Sequence, residues 1–213
     1  MDFERARRRM VDEQLAARGL RDPRVLAAMA ELPRHLFVPP DWREQAYADT
    51  PLPLGPEATI SQPYIVGLML EKAELVAGER ALEIGTGSGY QAALLAELGA
   101  ETYSIELDAR LAAQAARAVL AAGYPEVQLR VGDGRLGWPE AAPFAVILVT
   151  AAAAVTPPAL IEQLAEGGRL LIPVDTGPMA GGIENHQNLL RLRKRAGRLE
   201  TERLLAVRFV PLR

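Results

Sequence analysis

The sequence predicts a doubly wound α/β fold: a mostly parallel sheet with antiparallel C-terminal strands and an N-terminal helical cap. Three observations predict it. From residue 80 onward, short apolar runs alternate with helical patterns. Those runs are apolar at nearly every position, the mark of strands buried on both faces. The last two strand-like runs, Gln187–Arg193 and Leu204–Val210, are separated only by a Gly-containing turn, which requires antiparallel pairing.

Taken in order, residues 2–18 read as a helix with apolar Phe3, Ala6, Met10 and Leu15, stopped by Gly19. A second helix opens at Asp22 as N-cap with Pro23 in the first turn and runs to about Glu31. Residues 33–63 hold seven prolines, so this segment is expected to be loop-rich, with a short helix near Trp42–Tyr47. Pro63 opens a helix to about Leu75. Beyond it come strand Ala81–Ile84, helix Tyr90–Leu98, strand Thr102–Glu106, helix Asp108–Ala122 and strand Val127–Val131. Strand Phe144–Thr150, helix Pro157–Ala165 and strand Arg169–Val174 complete the alternation. Residues 1–78 thus read as a helical, Pro-rich cap and 79–213 as a core, within one domain of 213 residues.

Composition narrows the chemistry. With 49% hydrophobic and 24% charged residues the chain is an ordinary globular one. A net charge of −3 gives no general affinity for nucleic acid or anionic membrane. The absence of cysteine excludes disulfides, thiolate metal sites and a thiol nucleophile. With only His35 and His186, no metal site is expected. No apolar run reaches 18 residues and residues 1–10 lack a signal-peptide core, so a cytoplasmic location is expected; a monomer is the default expectation, which no sequence feature decides. The bias to 22 Arg over 2 Lys reads more simply as GC-rich coding than as heat adaptation.

The sharpest motif is Leu82–Tyr90, LEIGTGSGY, where a strand runs into a glycine turn and then a helix. Its spacing is G-x-G-x-G, with Tyr90 next, rather than the G-x-G-x-x-G of a dinucleotide turn. Glu83, just before the first glycine, would repel a pyrophosphate and suits a cationic amino-acid group. This combination resembles the first motif of S-adenosylmethionine-dependent methyltransferases. Glu106 ends the next strand, where a carboxylate can take both ribose hydroxyls; the alternative, a cap for the following helix, suits Asp108 better. Asp133, in Gly132-Asp133-Gly134, lies past another strand end and can accept from an adenine amino group, although a GDG turn alone is weak. Ser61 has two readings: a cap for the helix that Pro63 opens, or a hydroxyl delivered beside the cofactor crevice.

Thr59–Tyr64 (TISQPY) followed by Leu82–Ala96 is similar to the protein-L-isoaspartate (D-aspartate) O-methyltransferase family. So are Pro33–Pro39, Tyr47–Asp49 with Pro51–Pro53, Gly132–Gly134 with Gly137-Trp138, Gln163-Leu164 with Gly167-Gly168, Ile172-Pro173 and Phe209–Leu212. The resemblance spans almost the whole chain. It implies methyl transfer from S-adenosyl-L-methionine to isoaspartyl carboxylates in damaged proteins. The ester then closes to a succinimide that partly reopens as normal aspartate. It assigns Ser61 as the active-site residue. Cofactor binding falls to Glu83, Gly85, Thr86, Gly87, Gly89, Glu106, Asp133 and Gly134, and substrate contact to Thr59, Ile60, Val210 and Pro211. The chain departs from the family pattern at Ala145, where an Asp is usual, and in the longer, Gly-rich segment 177–188. Competing readings are a small-molecule carboxyl methyltransferase and a non-catalytic cofactor-binding module; a nicotinamide dehydrogenase is disfavoured by Glu83 and Tyr90.

Overall fold

A computed structural model describes residues 2–55, 58–175 and 187–213. The expected first helix is helical throughout but not uniformly α. Helix α1 (Phe3–Arg9) passes into a π-helical stretch, Met10–Leu15, and a 3-10 turn, Ala16–Arg18, closed by Gly19 at φ +100°. The π stretch buries Met10, Val11 and Leu15, whereas the simple helical pattern assigns only Met10 and Leu15 to the core face. Helix α2 (Pro23–Glu31) starts as predicted, the Asp22 side chain accepting from the Arg24 amide.

The Pro-rich segment is more ordered than its composition suggests. Two 3-10 turns, Arg34–Phe37 and Pro40–Gln45, lead to an antiparallel hairpin of β1 (Leu52–Gly55) and β2 (Ala58–Ile60). Prolines are tolerated there because a two-stranded ribbon consists of edges, where a missing N–H breaks no inner ladder. Helix α3 (Pro63–Ala73) follows.

The main sheet then forms. In chain order come β3 (Arg80–Ile84), α4 (Tyr90–Glu97), β4 (Glu101–Glu106), α5 (Ala109–Ala121) and β5 (Gln128–Val131). They are followed by β6 (Phe144–Val149), α6 (Pro158–Glu162), β7 (Leu164–Asp175), β8 (Gln187–Arg195) and β9 (Arg198–Val207). The spatial order is β5-β4-β3-β6-β7-β8-β9. Pairings from β5 through β7 are parallel, and β8 and β9 add antiparallel. The predicted fold class is the observed one. Helix α6 ends earlier than Ala165 because Leu164 already pairs with Phe144, and the register shifts before Arg169. His186 and all but the last two residues of segment 177–188 lie outside the described residues.

Helices cover both sheet faces, as apolar strands demand. On one face Met10, Leu15 and Met29 join Leu70, Leu94 and Val119 over Val146, Leu148 and Leu171. On the other, Leu160 closes over Leu82, Ile105, Ile147 and Leu170. The N-terminal helices therefore share a core with the sheet. Strand β3 lies between β4 and β6, so the chain leaves it first in one direction and returns on the other side. Such a reversal opens a crevice at the strands' carboxyl ends.

Candidate active site

The glycine turn sits in that crevice. Gly85, Gly87 and Gly89 take φ of +92°, +55° and +86°, a region costly for residues with a Cβ. They serve different ends. A Cβ at Gly85 would lie 2.5 Å from Thr150 Oγ1, and one at Gly89 would lie 2.7 Å from Val119 Cγ2 on α5. At Gly87 the nearest atom would be 3.7 Å away, so the space above it is open. Neighbouring strands pin the turn. The Gly85 amide donates to the Ile105 carbonyl at 2.8 Å, and the Thr150 hydroxyl donates to the Gly85 carbonyl at 2.7 Å.

Two carboxylates stand beneath it. Glu83 is fully buried; Oε2 accepts from the Ser104 hydroxyl at 2.6 Å, while Oε1 has no hydrogen-bond partner. Burial above all, with the Glu106 charge adding, pushes its pKa up to about 8 against the opposing Ser104 hydrogen bond. The Ser104 hydroxyl also meets Thr86 Oγ1 at 2.6 Å. Glu106 takes the Gly87 amide on Oε2 at 2.8 Å and the Asp108 amide on Oε1 at 3.1 Å. Capping of α5 falls to Asp108, which accepts from Arg110 and Leu111.

Facing the turn is the segment that ends the β1–β2 hairpin. Thr59, Ile60 and Ser61 line one cleft together with Glu83, Gly85, Thr86 and Gly87, and with Tyr90, Gln91 and Thr150. Ser61 is not the helix cap. The N-cap position of α3 is Gln62, without a side-chain cap of its own, and Asp49 fills the role from a distant loop. Asp49 Oδ1 accepts from the Tyr64 amide at 3.3 Å, and Oδ2 takes the Gln62 amide group at 2.7 Å and an ion pair from Arg18. The Ser61 carbonyl accepts from Arg34 at 2.8 Å.

The remaining sequence-selected residues fall less evenly. Val210 and Pro211 lie beside the loop that follows β6, through Ala152, which donates to the Val210 carbonyl and pairs with Pro211. Asp133 caps a 3-10 turn and pairs with Arg135, so its carboxylate is engaged without a ligand. Gly134 packs on β3: a Cβ there would lie 2.3 Å from Ile84 Cγ2. His35 stacks on Phe3 and meets the Tyr47 hydroxyl at 2.8 Å. A larger depression of about 430 Å³ on β8 and β9 is walled by Arg191, Arg193 and Arg195. Their ion pairs with Glu74, Glu202 and Glu200 neutralise it. Sequence reasoning missed Asp49, Thr150 and Ser104. Ser104 is one of three hydroxyl residues in its strand, with Thr102 and Tyr103, and nothing singled it out; Asp49 stood within the Tyr47–Asp49 motif but without a role.

The residues present suit S-adenosylmethionine on one observation in particular: a buried, unpartnered carboxylate oxygen, Glu83 Oε1, in the wall of a glycine-cradled cleft. Fold and cleft together define a Rossmann-like methyltransferase that uses this cofactor. The sequence profile for protein-L-isoaspartate(D-aspartate) O-methyltransferase matches residues 5–213, and the chain belongs to that family. A protein-L-isoaspartate O-methyltransferase of Methylorubrum populi is 55% identical over 208 residues, covering 97% of this chain and 94% of its own. One from Synechococcus sp. is 52% identical over 210 residues, covering 99% and 86%. A Plasmodium falciparum structure, described as this methyltransferase in complex with S-adenosyl-L-homocysteine, superposes with TM-score 0.83 at 25% identity, covering 97% and 98%.

Proposed function

We propose that this chain methylates the free α-carboxylate of L-isoaspartyl residues, whose chain runs on through the side-chain carbonyl, in damaged proteins and peptides, starting their repair. One observation carries the reading: Ser61 and the glycine turn line a single cleft. S-adenosylmethionine, when bound, supplies an electrophilic methyl group carried on sulfonium. Glu83 Oε1 is the acceptor left for its ammonium group, and Glu106, with lone pairs beyond its two backbone bonds, is the acceptor for its ribose. Thr86 and the three turn glycines form the cradle, with Asp133 and Gly134 at its adenine end.

The other half of the site aligns the nucleophile. A carboxyl with an ordinary pKa of about 4 is already ionised at neutral pH, so no general base is needed. Alignment is what remains to be supplied, an effect that can reach roughly 7–11 kcal/mol. The Ser61 hydroxyl donates to the carboxylate without the tight ion pair that would blunt its nucleophilicity. An extended peptide lies along Thr59 and Ile60 and reaches Val210 and Pro211. Residues 1–78 form the substrate-side cap on the 79–213 core, within one domain. The protein works as a cytoplasmic monomer whose macromolecular partners are the damaged chains, not nucleic acid or membrane.

A methyl-transfer assay with paired aspartyl and isoaspartyl peptides tests the reading. Turnover confined to the isoaspartyl member supports it. Tight cofactor binding without turnover, or turnover of free carboxylic acids in preference to peptide, overturns it.

A further inference from the structure

The Pro33–Pro39 segment carries a residue that the proposed mechanism does not use. Arg34 is fully buried, yet none of its hydrogen bonds goes to a carboxylate. Its Nε donates to the Ala46 carbonyl at 2.8 Å and one terminal nitrogen donates to the Ser61 carbonyl at 2.8 Å. The other terminal nitrogen, Nη1, has no hydrogen-bond partner. The guanidinium lies 5.0 Å from the Tyr90 ring centroid, within cation–π range. Burial pushes its pKa down to about 10, so it stays charged at neutral pH. Burying a cation without an ion-pair partner is expensive; the Asp49 charge favours the cation without a hydrogen bond to it, and such a group is retained only where something further offsets the cost.

The cleft explains what. Ser61 and Tyr90, both touched by Arg34, form part of its wall. Among the described residues that line the cleft none is cationic, and Glu83 is the one carboxylate. An incoming carboxylate therefore meets no cation at the cleft surface, and through a low-dielectric wall a buried cation acts over a longer range than in water. We propose that Arg34 is a positioning and specificity residue of this site: it fixes the Ser61 main chain against α4 and sets a positive charge behind the wall that receives the substrate carboxylate. This rests on the carboxyl-methylation reading given above.

The test separates charge from scaffold. Enzyme loaded with S-adenosyl-L-homocysteine is titrated with an isoaspartyl peptide and with the same peptide carrying that carboxyl as a neutral primary amide. Wild type prefers the acid. In Arg34→Met the acid peptide binds about tenfold or more weaker while the amide peptide is nearly unchanged, so the preference collapses. Arg34→Lys keeps the charge, retains the preference, and lowers kcat because the link to the Ser61 or Ala46 carbonyl is lost. A purely structural role lowers the melting temperature and weakens both peptides alike. An unchanged acid-to-amide ratio in Arg34→Met overturns the proposal. If Arg34→Met fails to fold, loss of the preference in the folded, charge-retaining Arg34→Lys overturns it instead. Failure of the wild type to methylate isoaspartyl peptide strikes the underlying reading and is seen before any variant is made.

Discussion

Gly87 and Glu106 stand nineteen residues apart in sequence and are joined by one hydrogen bond, the Gly87 amide donating to Glu106 Oε2 at 2.8 Å. The acid assigned to the ribose therefore also holds the turn on which the cofactor lies. Glu106→Gln keeps an acceptor for that amide, whereas Glu106→Ala removes it. Calorimetry should show S-adenosylmethionine affinity falling by an order of magnitude or more in Glu106→Ala and by less in Glu106→Gln. Equal affinities for wild type and Glu106→Ala would remove Glu106 from the site.

The three turn glycines make a second, internally controlled test. Gly89→Ala drives a methyl into Val119 and the Ala115 carbonyl, so it should cost about 1–3 kcal/mol of stability in a denaturant titration. Gly87→Ala meets no protein atom closer than 3.7 Å and costs only the left-handed backbone penalty, about 1–2 kcal/mol. Its methyl instead enters the cleft. Cofactor affinity should drop more in Gly87→Ala than its stability does, and Gly89→Ala should show the reverse ranking.

Ser61 and Asp49 divide between them two roles that the sequence placed on one residue. Because Asp49 caps α3, Asp49→Ala should lose about 0.5–2 kcal/mol of stability. Ser61→Ala should leave the melting transition nearly unchanged and reduce turnover by tenfold or more. A Ser61→Ala enzyme that melts earlier but works normally would reverse the assignment.

Glu83 gives a pH signature. Its folded pKa, near 8, lies above the unfolded carboxyl value, so the native state binds the extra proton between them. Its contribution to stability is fully present below about pH 4 and is lost as pH rises through 8. Urea titrations of wild type and Glu83→Gln at pH 5.5 and 8.5 check this. Wild type should lose more stability across the interval than the variant, and parallel losses would show that Glu83 does not titrate there.

What the sequence made legible follows from how local its signals are. Strands such as Phe144–Val149 are buried on both faces and so are apolar without interruption. Helix α5 declares itself through Asp108 and a one-sided burial of Ala112, Ala115 and Val119. The glycine spacing places the turn because each glycine answers a backbone demand within a few residues. Long-range pairings leave no such trace. Asp49 caps a helix fifteen residues onward, and nothing in the Pro33–Pro39 stretch itself tells that Arg34 is buried against Ser61 and Tyr90. The π stretch is likewise invisible, since its extra buried residue, Val11, conforms to no simple helical period.

The position of β3 between β4 and β6 has a kinetic consequence. Its contact with β4 closes a short segment, Arg80 meeting Glu101 twenty-one residues on, whereas the Thr150 clamp on Gly85 closes sixty-five. The entropy of loop closure rises with such separations, and chains dominated by distant contacts fold slowly. The β3–β4–β5 half can assemble early, but the crevice does not exist until β6 docks against β3. During refolding, cofactor binding should thus be among the last properties regained, trailing the return of helical signal.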